Sequence, residues 1–391
     1  MIGVTQAKRI LRELNLPRKK ISSSLSQAIG YVLAEPVYSK IDVPSFDNSA
    51  MDGYAFFWEE NRSTLQVIGE SSAGSSPEIA LQKGEAVRIF TGAPLPKGAN
   101  SVIMQEKVVR KGDEIYFEGG EAELGKHVRY RGSQCQAGDQ IAQAGAKVSP
   151  GMVSLLASVG VAQVEVWEAP RVSLIITGNE IKELDEVLSP GQIYNANGPA
   201  LVAWLQQLGV RKITPLSVRD EKEAVKEGLT EALESSDLVI FTGGISVGDY
   251  DFVKEAVEAN QVQELFYKLK QRPGKPLYAG QKSGKLVFGL PGNPGSVLSC
   301  FINYVKPVIR SWMGEAQAWE DVVEIPLAED FEKKIPLTQF LKAEVKHGKA
   351  HILQGQESFN LIAFGMADGF VEIPEEMQLV KSGELVKFYP W

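Results

Sequence analysis

The sequence predicts a central α/β domain, with a mostly parallel sheet in a three-layer arrangement, flanked by small β-rich domains in an elongated multi-domain subunit. The length of 391 residues allows roughly two or three domains with sizeable cores. Strand-like and helix-like segments alternate between Pro170 and Gly314, which is typical of a parallel sheet with helices on both faces. Short alternating stretches broken by glycines lie on both sides and predict the β-rich domains.

Two helical segments are predicted outside the α/β region. The first is amphipathic and ends at Pro17, and its apolar face comprises Val4, Ala7, Leu11 and Leu14. The second begins with Ser149 as its N-cap and ends at Gly160. We expect residues 1–43 and 143–168 to form one discontinuous helical and linker domain.

Residues 44–142 are predicted to form a β-rich domain, a small barrel or sandwich. The stretches "EAVRIF", "SVIMQEKVV" and "EIYFEG" alternate as short strands do. The segment "SFDNSAMDGYAF", Ser45 to Phe56, is unusual because it places two aspartates among aromatic residues. Such a composition is atypical both of a surface loop and of a core strand, which makes this segment a candidate functional element.

Residues 169–314 form the predicted α/β domain. Its strands are predicted from the apolar runs "VSLIIT", "ITPLSV", "DLVIFTGG" and "KLVFGLPG". Helices are expected from Asn197 to Gly209, after a cap at Asp220, from near Asp251, and over "NPGSVLSCFINYVKPVIRSW". Residues 315–391 return to strand-like alternation and predict a small C-terminal β domain, from the stretches "FLKAEVK", "AHILQ", "GFVEIP" and "ELVKFYPW".

The composition excludes several classes of protein. A formal charge of -8 argues against a nucleic-acid-binding protein, which usually shows a basic face. Two cysteines, Cys135 and Cys300, exclude a disulfide framework and predict a cytoplasmic location. The three histidines do not cluster with them at zinc-ligand spacings. No apolar run approaches a membrane span, and the N-terminus lacks the apolar core of a signal peptide.

Three glycine-containing loops follow predicted strands, and the carboxyl ends of parallel strands are where such sheets bind ligands. They are "TGNE" (177–180), "TGGISVGDYDF" (242–252) and "LPGNPGS" (290–296). One such loop alone is more often a simple turn, but three at one edge favour an anion-binding site. The ligand-binding residues predicted in the last two loops are Gly243, Gly244, Ser246, Asp249, Pro291, Gly292 and Asn293.

Four acidic residues belong to the same edge: Glu180, Asp220, Asp249 and Asp251. Asp220 and Asp251 could instead serve as helix N-caps, a role sufficient to explain either residue alone. Four carboxylates beside phosphate-binding loops require a cation, and Mg²⁺ is commonly held by one or two carboxylates together with phosphate oxygens. The residues therefore indicate a nucleotide-like phosphate ester bound with Mg²⁺. Neither a Walker A loop nor a dinucleotide-binding fingerprint is present in the expected context.

A basic turn complements these acids. In "KLKQRPGKPLYAG" the side chains of Arg272 and Lys275 flank the turn Pro273-Gly274. A solvated charged turn is the simpler interpretation of this stretch alone. Because the turn leads towards the strand that precedes "LPGNPGS", Arg272, Lys275 and the Ser296 hydroxyl could together hold a small anion.

Six motifs in order resemble those of the molybdopterin molybdenumtransferase family, the molybdenum insertases of molybdenum-cofactor biosynthesis, to which the gephyrin E-domain also belongs. They are "SFDNSAMDGYAF", "RIFTGAPLPKGANSVIMQE", "TGNEI", "TGGISVGDYDF", "RPGKP" and "LPGNPGS". The resemblance extends from about residue 5 to residue 312 and is looser in the C-terminal region.

The resemblance implies an elongated four-part subunit that pairs as a homodimer and works with other enzymes of the pathway. It implies a reaction of adenylated molybdopterin with molybdate that releases AMP and leaves the metal on the dithiolene. The implied catalytic residues are Asp52, Thr91, Glu180, Asp220 and Asp251, and the implied Mg²⁺ ligands are Glu180, Asp220 and Asp251. The implied molybdate-binding residues are Arg272, Lys275 and Ser296.

The sequence departs from the family pattern at two places. After "VRYRG" relatives often carry Glu-Asp, whereas Ser133 and Gln134 stand here, which removes a carboxylate. Arg272 stands where a lysine is common, so the charge is kept. In the C-terminal region, Lys342 is the candidate counterpart of an arginine common in relatives.

Two other functions are weighed against the insertase. A molybdopterin adenylyltransferase would resemble only the α/β region, and the motifs before it argue against that assignment. A gephyrin-like scaffold would need a second domain joined by a long linker, which this sequence does not contain.

Overall fold

The computed structural model describes residues 1–74, 79–118, 120–245 and 252–391. The α/β region contains a six-stranded sheet formed by β1 (Val172–Thr177), β2 (Ile213–Val218), β3 (Leu238–Thr242), β4 (Gln263–Tyr267), β5 (Tyr278–Lys282) and β6 (Lys285–Leu290). The strand order is β2-β1-β3-β6-β5-β4. Strands β2, β1, β3 and β6 run parallel to one another. Strand β5 is antiparallel to both of its neighbours, β6 and β4, so the sheet is mixed.

Burial explains why these strands could be recognised. Every residue of β1 and β3 is buried, and strands buried on both faces consist of continuous apolar runs. Strand β2 lies at the edge of the sheet and is partly exposed, a position where Pro215 is tolerated. The predicted runs "VSLIIT" and "ITPLSV" coincide with β1 and β2, so both predictions are confirmed.

The helices of this region are α1 (Asn197–Gln207), α2 (Lys222–Ser235), α3 (Phe252–Ala259) and α4 (Pro294–Cys300), which continues through a π-helical segment (Phe301–Val305) into α5 (Lys306–Trp312). Successive side chains of a strand point to opposite faces of the sheet. Leu174 belongs to a core cluster that contains residues of α1 and α4, and Ile175 belongs to one that contains residues of α2 and α3. Helices α1 and α4 therefore cover one face of the sheet, and α2 and α3 cover the other.

The region before the α/β unit contains another six-stranded sheet. In spatial order its strands are Ser101–Met104, Gly53–Phe56, Glu85–Ile89, Thr64–Ser71, Glu114–Tyr116 and Val109–Lys111. A two-stranded pair, Asn48–Ser49 with Val128–Arg129, lies beside it. A 3-10 turn (Gln105–Lys107) follows the strand Ser101–Met104. The segment that contains Asp52 thus enters the buried strand Gly53–Phe56 directly.

Segments that precede and follow this sheet in the chain pair with each other. Strand Lys20–Ser24 pairs antiparallel with Gln163–Trp167, and Val37–Tyr38 pairs with Gln140–Ala142. The helices of these segments are Val4–Arg12, Leu25–Ala28 and Pro150–Ser158. Ser149 caps the last of them as predicted, because its Oγ accepts a hydrogen bond of 3.2 Å from the backbone N–H of Met152.

The C-terminal region forms a third large sheet that includes a strand from the α/β region. Its order is Gln271–Arg272, Thr338–Lys346, Gly369–Ile373, Leu385–Pro390 and Val323–Pro326, and Lys349–Ile352 pairs with the second of these. The minor elements of the molecule are the helix Ile362–Met366 and the two-residue strands Phe331–Glu332, Leu379–Val380, Ile181–Lys182 and Ile193–Tyr194. The basic turn after Gln271 therefore connects a strand of the C-terminal sheet to β5 of the α/β sheet.

Among the described helices, none combines the length and the apolar character needed to cross a membrane.

Candidate functional site

A cavity of about 370 Å³ lies at the carboxyl ends of the parallel strands. It is lined by Thr177, Gly178, Glu180, Ile181, Ile193, Tyr194, Asn195, Ala196, Asn197, Asp220, Thr242, Gly243, Gly244, Ile245, Gly292, Asn293 and Pro294. The strand register explains this convergence, because Thr177 at the end of β1 pairs with Val218 at the end of β2. Thr242 at the end of β3 pairs with Ile176 of β1 and with Leu290 at the end of β6. Loops after all four parallel strands thus contribute to one cavity.

The glycines after β3 allow this close packing. Gly243 and Gly244 have φ angles of +85° and +66°, a conformation that residues with a Cβ rarely adopt. A Cβ at Gly243 would lie 2.5 Å from the carbonyl oxygen of Thr177, and one at Gly244 would lie 2.8 Å from the Thr177 hydroxyl. The loop after β3 therefore approaches the end of β1 more closely than any residue with a side chain would permit.

Three buried polar atoms at this cavity have no hydrogen-bond partner among the described residues. They are the hydroxyl oxygens of Thr177 and Thr242 and Oδ1 of Asp220. Buried polar groups in folded proteins are almost always hydrogen-bonded, and one left without a partner costs about 1–3 kcal/mol. Two hydroxyls and a carboxylate oxygen without partners, on three residues that line the same cavity, indicate a polar ligand.

The electrostatic state of Asp220 supports this interpretation. Burial raises the pKa of Asp220, and the nearby negative charge of Glu180 raises it further. The expected capping role is wrong for Asp220, because Glu221 precedes α2 and no side chain caps that helix. The backbone N–H of Asp220 donates to Oδ1 of Asn179 at 3.3 Å. The carboxylate is thus available for a ligand or a cation.

The basic turn packs against the start of α4, beside the cavity but outside its lining. Arg272 and Lys275 are exposed, and within the described part of the chain neither has an ion-pair partner. A Cβ at Gly274 would overlap Sγ of Cys300 and would lie 3.5 Å from the carbonyl oxygen of Ser296. The turn therefore lies beside the backbone of Ser296, the third residue predicted for the small-anion site.

The backbone N–H groups at the start of α4 are already hydrogen-bonded within the protein. The N–H of Gly295 donates to the Ser358 carbonyl at 2.7 Å, and those of Ser296 and Val297 donate to the Asn293 carbonyl at 2.9 and 3.0 Å. Ser296 itself is 6% exposed. An anion beside the turn would consequently be bound by side chains rather than by the helix N-terminus.

Lys342 has a structural role. Its buried ammonium group donates to the carbonyl oxygens of Gly355, Glu357 and Asn360 at 2.6, 3.2 and 3.0 Å. All three donors of the ammonium are thereby used. The lysine fixes the loop that places the Ser358 carbonyl against α4, and it is not available to bind an anion.

Asp52 and Thr91 form a second polar unit in the N-terminal β region, and neither residue lines the cavity. Oδ1 of Asp52 accepts hydrogen bonds from the backbone N–H and the hydroxyl of Thr91, both at 2.7 Å. These bonds hold the pKa of Asp52 below its ordinary value, and the positive charge of Arg88 adds to the effect. The carboxylate is therefore ionised and held in one orientation.

Three family profiles match successive parts of the chain. They are described as the MoeA N-terminal region (domain I and II) over residues 2–160, a probable molybdopterin binding domain over 173–311, and the MoeA C-terminal region (domain IV) over 324–391. The molybdopterin molybdenumtransferase of Staphylococcus epidermidis is 34% identical, over 98% of this chain and 94% of its own length. That of Nostoc sp. is 39% identical, over 75% of this chain and 70% of its own length.

A solved structure gives the same result. The molybdopterin biosynthesis MoeA protein of Pyrococcus horikoshii superposes with a TM-score of 0.83 at 32% identity, and the match covers 100% of this chain and 99% of that one. This chain belongs to the molybdopterin molybdenumtransferase family. The predicted resemblance is confirmed, and the chain is accordingly a transferase of molybdenum-cofactor biosynthesis with the MoeA-like multi-domain fold of mixed sheets.

Membership of this transferase family does not assign individual residues. Of the residues predicted from the loop after β3, Ser246, Asp249 and Asp251 lie outside the described residues. Inside the described ranges, no three His, Cys, Asp or Glu side chains converge as a metal site. The predicted metal ligands that the structure does bring to the cavity are Glu180 and Asp220.

Sequence reasoning missed two threonines and two asparagines at this site. Asn197 begins α1, and its Nδ2 donates to the Gly292 carbonyl at 2.8 Å, which joins two of the loops around the cavity. Oδ1 of Asn195 accepts from the N–H of Gly198 at 2.9 Å. The signal that could have found Thr177 and Thr242 is their shared position, since each ends an apolar strand and precedes a glycine.

Proposed function

We propose that this transferase inserts molybdate into adenylated molybdopterin with release of AMP and a requirement for Mg²⁺. The observation that carries the proposal is the set of unpartnered polar atoms around the cavity: the Thr177 and Thr242 hydroxyls and Oδ1 of Asp220, with no partner in the described ranges. Hydroxyl groups donate to the oxygens of a phosphate ester, and a carboxylate binds its cation. The volume of about 370 Å³ lies in the range typical of small-molecule sites.

The residues at the cavity fit Mg²⁺. Glu180 and Asp220 face the same space, and their mutual repulsion contributes to the raised pKa of Asp220. Mg²⁺ is usually held by one or two carboxylates and by substrate phosphates, so two such side chains suffice. Asp251, the third proposed ligand, lies outside the described residues. When bound, Mg²⁺ would neutralise negative charge on the phosphate oxygens.

The chain's own groups orient the substrate. Thr177 and Thr242 would donate to the phosphate oxygens, while the loop residues Gly243, Gly244, Pro291, Gly292 and Asn293 would bind the remainder of the adenylated pterin. Asn197 holds the loop after β6 in place through the Gly292 carbonyl. These groups act by binding and positioning, which is the main way in which enzymes promote reactions at phosphates.

Molybdate, the second substrate, is proposed to bind at the basic turn. Arg272 and Lys275 supply two positive charges for a dianion, and Ser296 supplies a hydroxyl. The turn contacts α4, whose first residue, Pro294, lines the cavity together with Asn293 before it. The anion would therefore lie beside the pterin site.

The same proposal covers assembly and location. We expect an elongated homodimer, in which the partner subunit brings its Asp52 and Thr91 unit towards the cavity, acting in the cytoplasm with other enzymes of the pathway. Two buried free cysteines agree with a reducing compartment. Static light scattering should give about twice the chain mass of 42.7 kDa, and a mass that stays at one chain at micromolar concentration would contradict the dimer.

Purified protein incubated with adenylated molybdopterin, Mg²⁺ and molybdate tests the function directly. We expect AMP release that depends on all three additions, measured by chromatography, with omission of molybdate as the control. AMP release at the same rate without molybdate would contradict the insertase. Conversion of molybdopterin and ATP to the adenylated pterin would instead identify an adenylyltransferase. That alternative accounts only for the central region, whereas family matches also cover residues 2–160 and 324–391.

A further inference from the structure

Gln271 lies directly beneath the basic turn and is fully buried. Its Nε2 donates to the carbonyl oxygens of Pro273 and Gly274 at 3.0 and 3.2 Å, and it also lies 3.8 Å from Sγ of Cys300. Its Oε1 accepts a hydrogen bond from the hydroxyl of Tyr304, which is also fully buried. One side chain thus connects the turn to the helical segment behind it.

These bonds determine which way the turn faces. The two carbonyl groups point inward to Gln271, while the side chains of Arg272 and Lys275 are exposed. Gly274 has φ = +83° and contacts α4 so closely that a Cβ would overlap Sγ of Cys300. The turn therefore has no room to rotate towards the helix, and Gln271 opposes rotation away from it.

The backbone on the other side of Gln271 is also held. Gln271 and Arg272 pair with Thr338 and Gln339 in the C-terminal sheet, and the N–H of Thr338 donates to the Lys270 carbonyl at 3.1 Å. The turn is thus anchored by a sheet on one side and by the buried amide on the other. Because the backbone of the turn is already fixed, binding an anion there costs less backbone entropy than binding at a flexible loop would.

We infer that Gln271, oriented by Tyr304, is a positioning residue that keeps Arg272 and Lys275 directed at one oxyanion. The inference rests on the proposed function, because it assigns the turn to molybdate. Gln271 does not touch the anion in this assignment. It acts through the two carbonyl groups whose direction it sets.

Gln271→Met tests the inference, since methionine is similar in size but cannot donate to either carbonyl. We expect the KM for molybdate to rise about tenfold, the change expected when roughly one to two hydrogen bonds are lost. The KM for adenylated molybdopterin and kcat should stay within about twofold, because the cavity does not include this turn. Calorimetry with molybdate alone should show the same loss of affinity.

Tyr304→Phe is a milder variant, and it tests the same positioning role if Gln271→Met fails to fold. It removes the donor to Oε1 and should raise the KM for molybdate about threefold. Tyr278→Phe is the matched control, because Tyr278 is a buried tyrosine of the same region whose hydroxyl has no partner in the described part of the chain. This control should leave both KM values unchanged.

Coupling to Lys275 separates positioning from general stability. If Gln271 acts through the turn, its effect on the KM for molybdate should shrink to under about threefold in a Lys275→Ala background. Fully multiplicative effects, or equal losses for both substrates, would overturn the inference. So would an unchanged KM for molybdate in Gln271→Met while the wild type releases AMP normally. A wild type without molybdate-dependent AMP release would instead overturn the proposed function.

Discussion

Asp220 at the cavity and Asp52 in the N-terminal β region carry the same carboxyl group in opposite surroundings. Oδ1 of Asp220 is buried without a partner among the described residues, and burial raises its pKa. Oδ1 of Asp52 accepts two hydrogen bonds from Thr91, which lower its pKa. The fold therefore disfavours the charge at Asp220 and stabilises the charge at Asp52.

This difference shows whether the charge on each aspartate still needs a ligand to stabilise it. Asp52 is oriented and ionised by its own chain, so its charge needs no ligand to stabilise it. Asp220 would gain most from a bound cation, which would offset both its burial and the repulsion of Glu180. A site that is unfavourable in the free protein and relieved by its ligand is common where a protein trades stability for function.

The largest effect is expected for Asp220→Asn, which should lower the rate of AMP release at least about 100-fold, or roughly 2.7 kcal/mol in the activation barrier. The same change should raise the melting temperature at neutral pH. Because the folded pKa of Asp220 is raised, the native state loses stability as the pH rises from the ordinary value of 3.8 through that raised pKa. Asparagine never ionises, so the gain in melting temperature should vanish below about pH 3.8.

Asp237→Asn is the matched control for this prediction. Asp237 precedes β3 at the opposite end of the sheet and accepts bonds of 2.9, 3.0 and 2.9 Å from the backbone and guanidinium of Arg171, which help to hold its pKa low. Its removal should lower the melting temperature and leave the KM for adenylated molybdopterin unchanged. Equal thermal shifts in the two variants would contradict the contrast between satisfied and unsatisfied carboxylates.

The next largest effect is expected for Gly243→Ala. A residue with a Cβ at φ = +85° costs about 1–2 kcal/mol, and contact with the Thr177 carbonyl adds about 1–3 kcal/mol. Urea denaturation should therefore show a loss of roughly 2–5 kcal/mol, with weaker substrate binding. Gly191→Ala has a similar φ of +88° but nothing within 4 Å of the new Cβ, so it should show only the conformational cost.

A smaller effect is expected for Thr242→Val, which removes a buried hydroxyl that has no partner in the described part of the chain. The variant should melt at a higher temperature, yet its KM for adenylated molybdopterin should rise about three- to tenfold through one lost hydrogen bond. Ser173→Ala lies on the neighbouring strand as a control, and it leaves Ser236 without its 2.6 Å partner. That control should lose stability with no change in KM.

The sequence predicted the parts of this site that depend on local patterns. Continuous apolar runs located β1 and β3, and the start of α1 at Asn197 was confirmed. Parallel strands with helical connections then bring their carboxyl ends together, so Glu180 and Asp220 could be assigned to one edge.

Long-range contacts could not be predicted in this way. The pairing of Gln271 and Arg272 with the C-terminal sheet joins two polar residues to a strand more than sixty positions later, and no local periodicity encodes it. Likewise, the Thr177 hydroxyl has no partner among the described residues, and Gly243 and Gly244 from the loop after β3 pack closely against Thr177. Such properties arise from packing between elements rather than from the residues of one element.

The smallest effect is expected for Thr91→Val, which removes the hydroxyl bond to Asp52 and keeps the backbone N–H bond. The pKa of Asp52 should move up towards its ordinary value of 3.8, because one of the two bonds that lower it is gone. A lowered pKa gives stability that is present above that ordinary value and lost as the pH falls through the folded pKa. Wild type and variant should thus differ in melting temperature at neutral pH and converge in acid, with AMP release reduced only about twofold. Thr91→Ser keeps the hydroxyl and should match the wild type in both measurements. A loss of activity in Thr91→Val as large as that in Asp220→Asn would show that the Asp52 carboxylate is not held ready by its own chain, and the contrast between the two aspartates would fail.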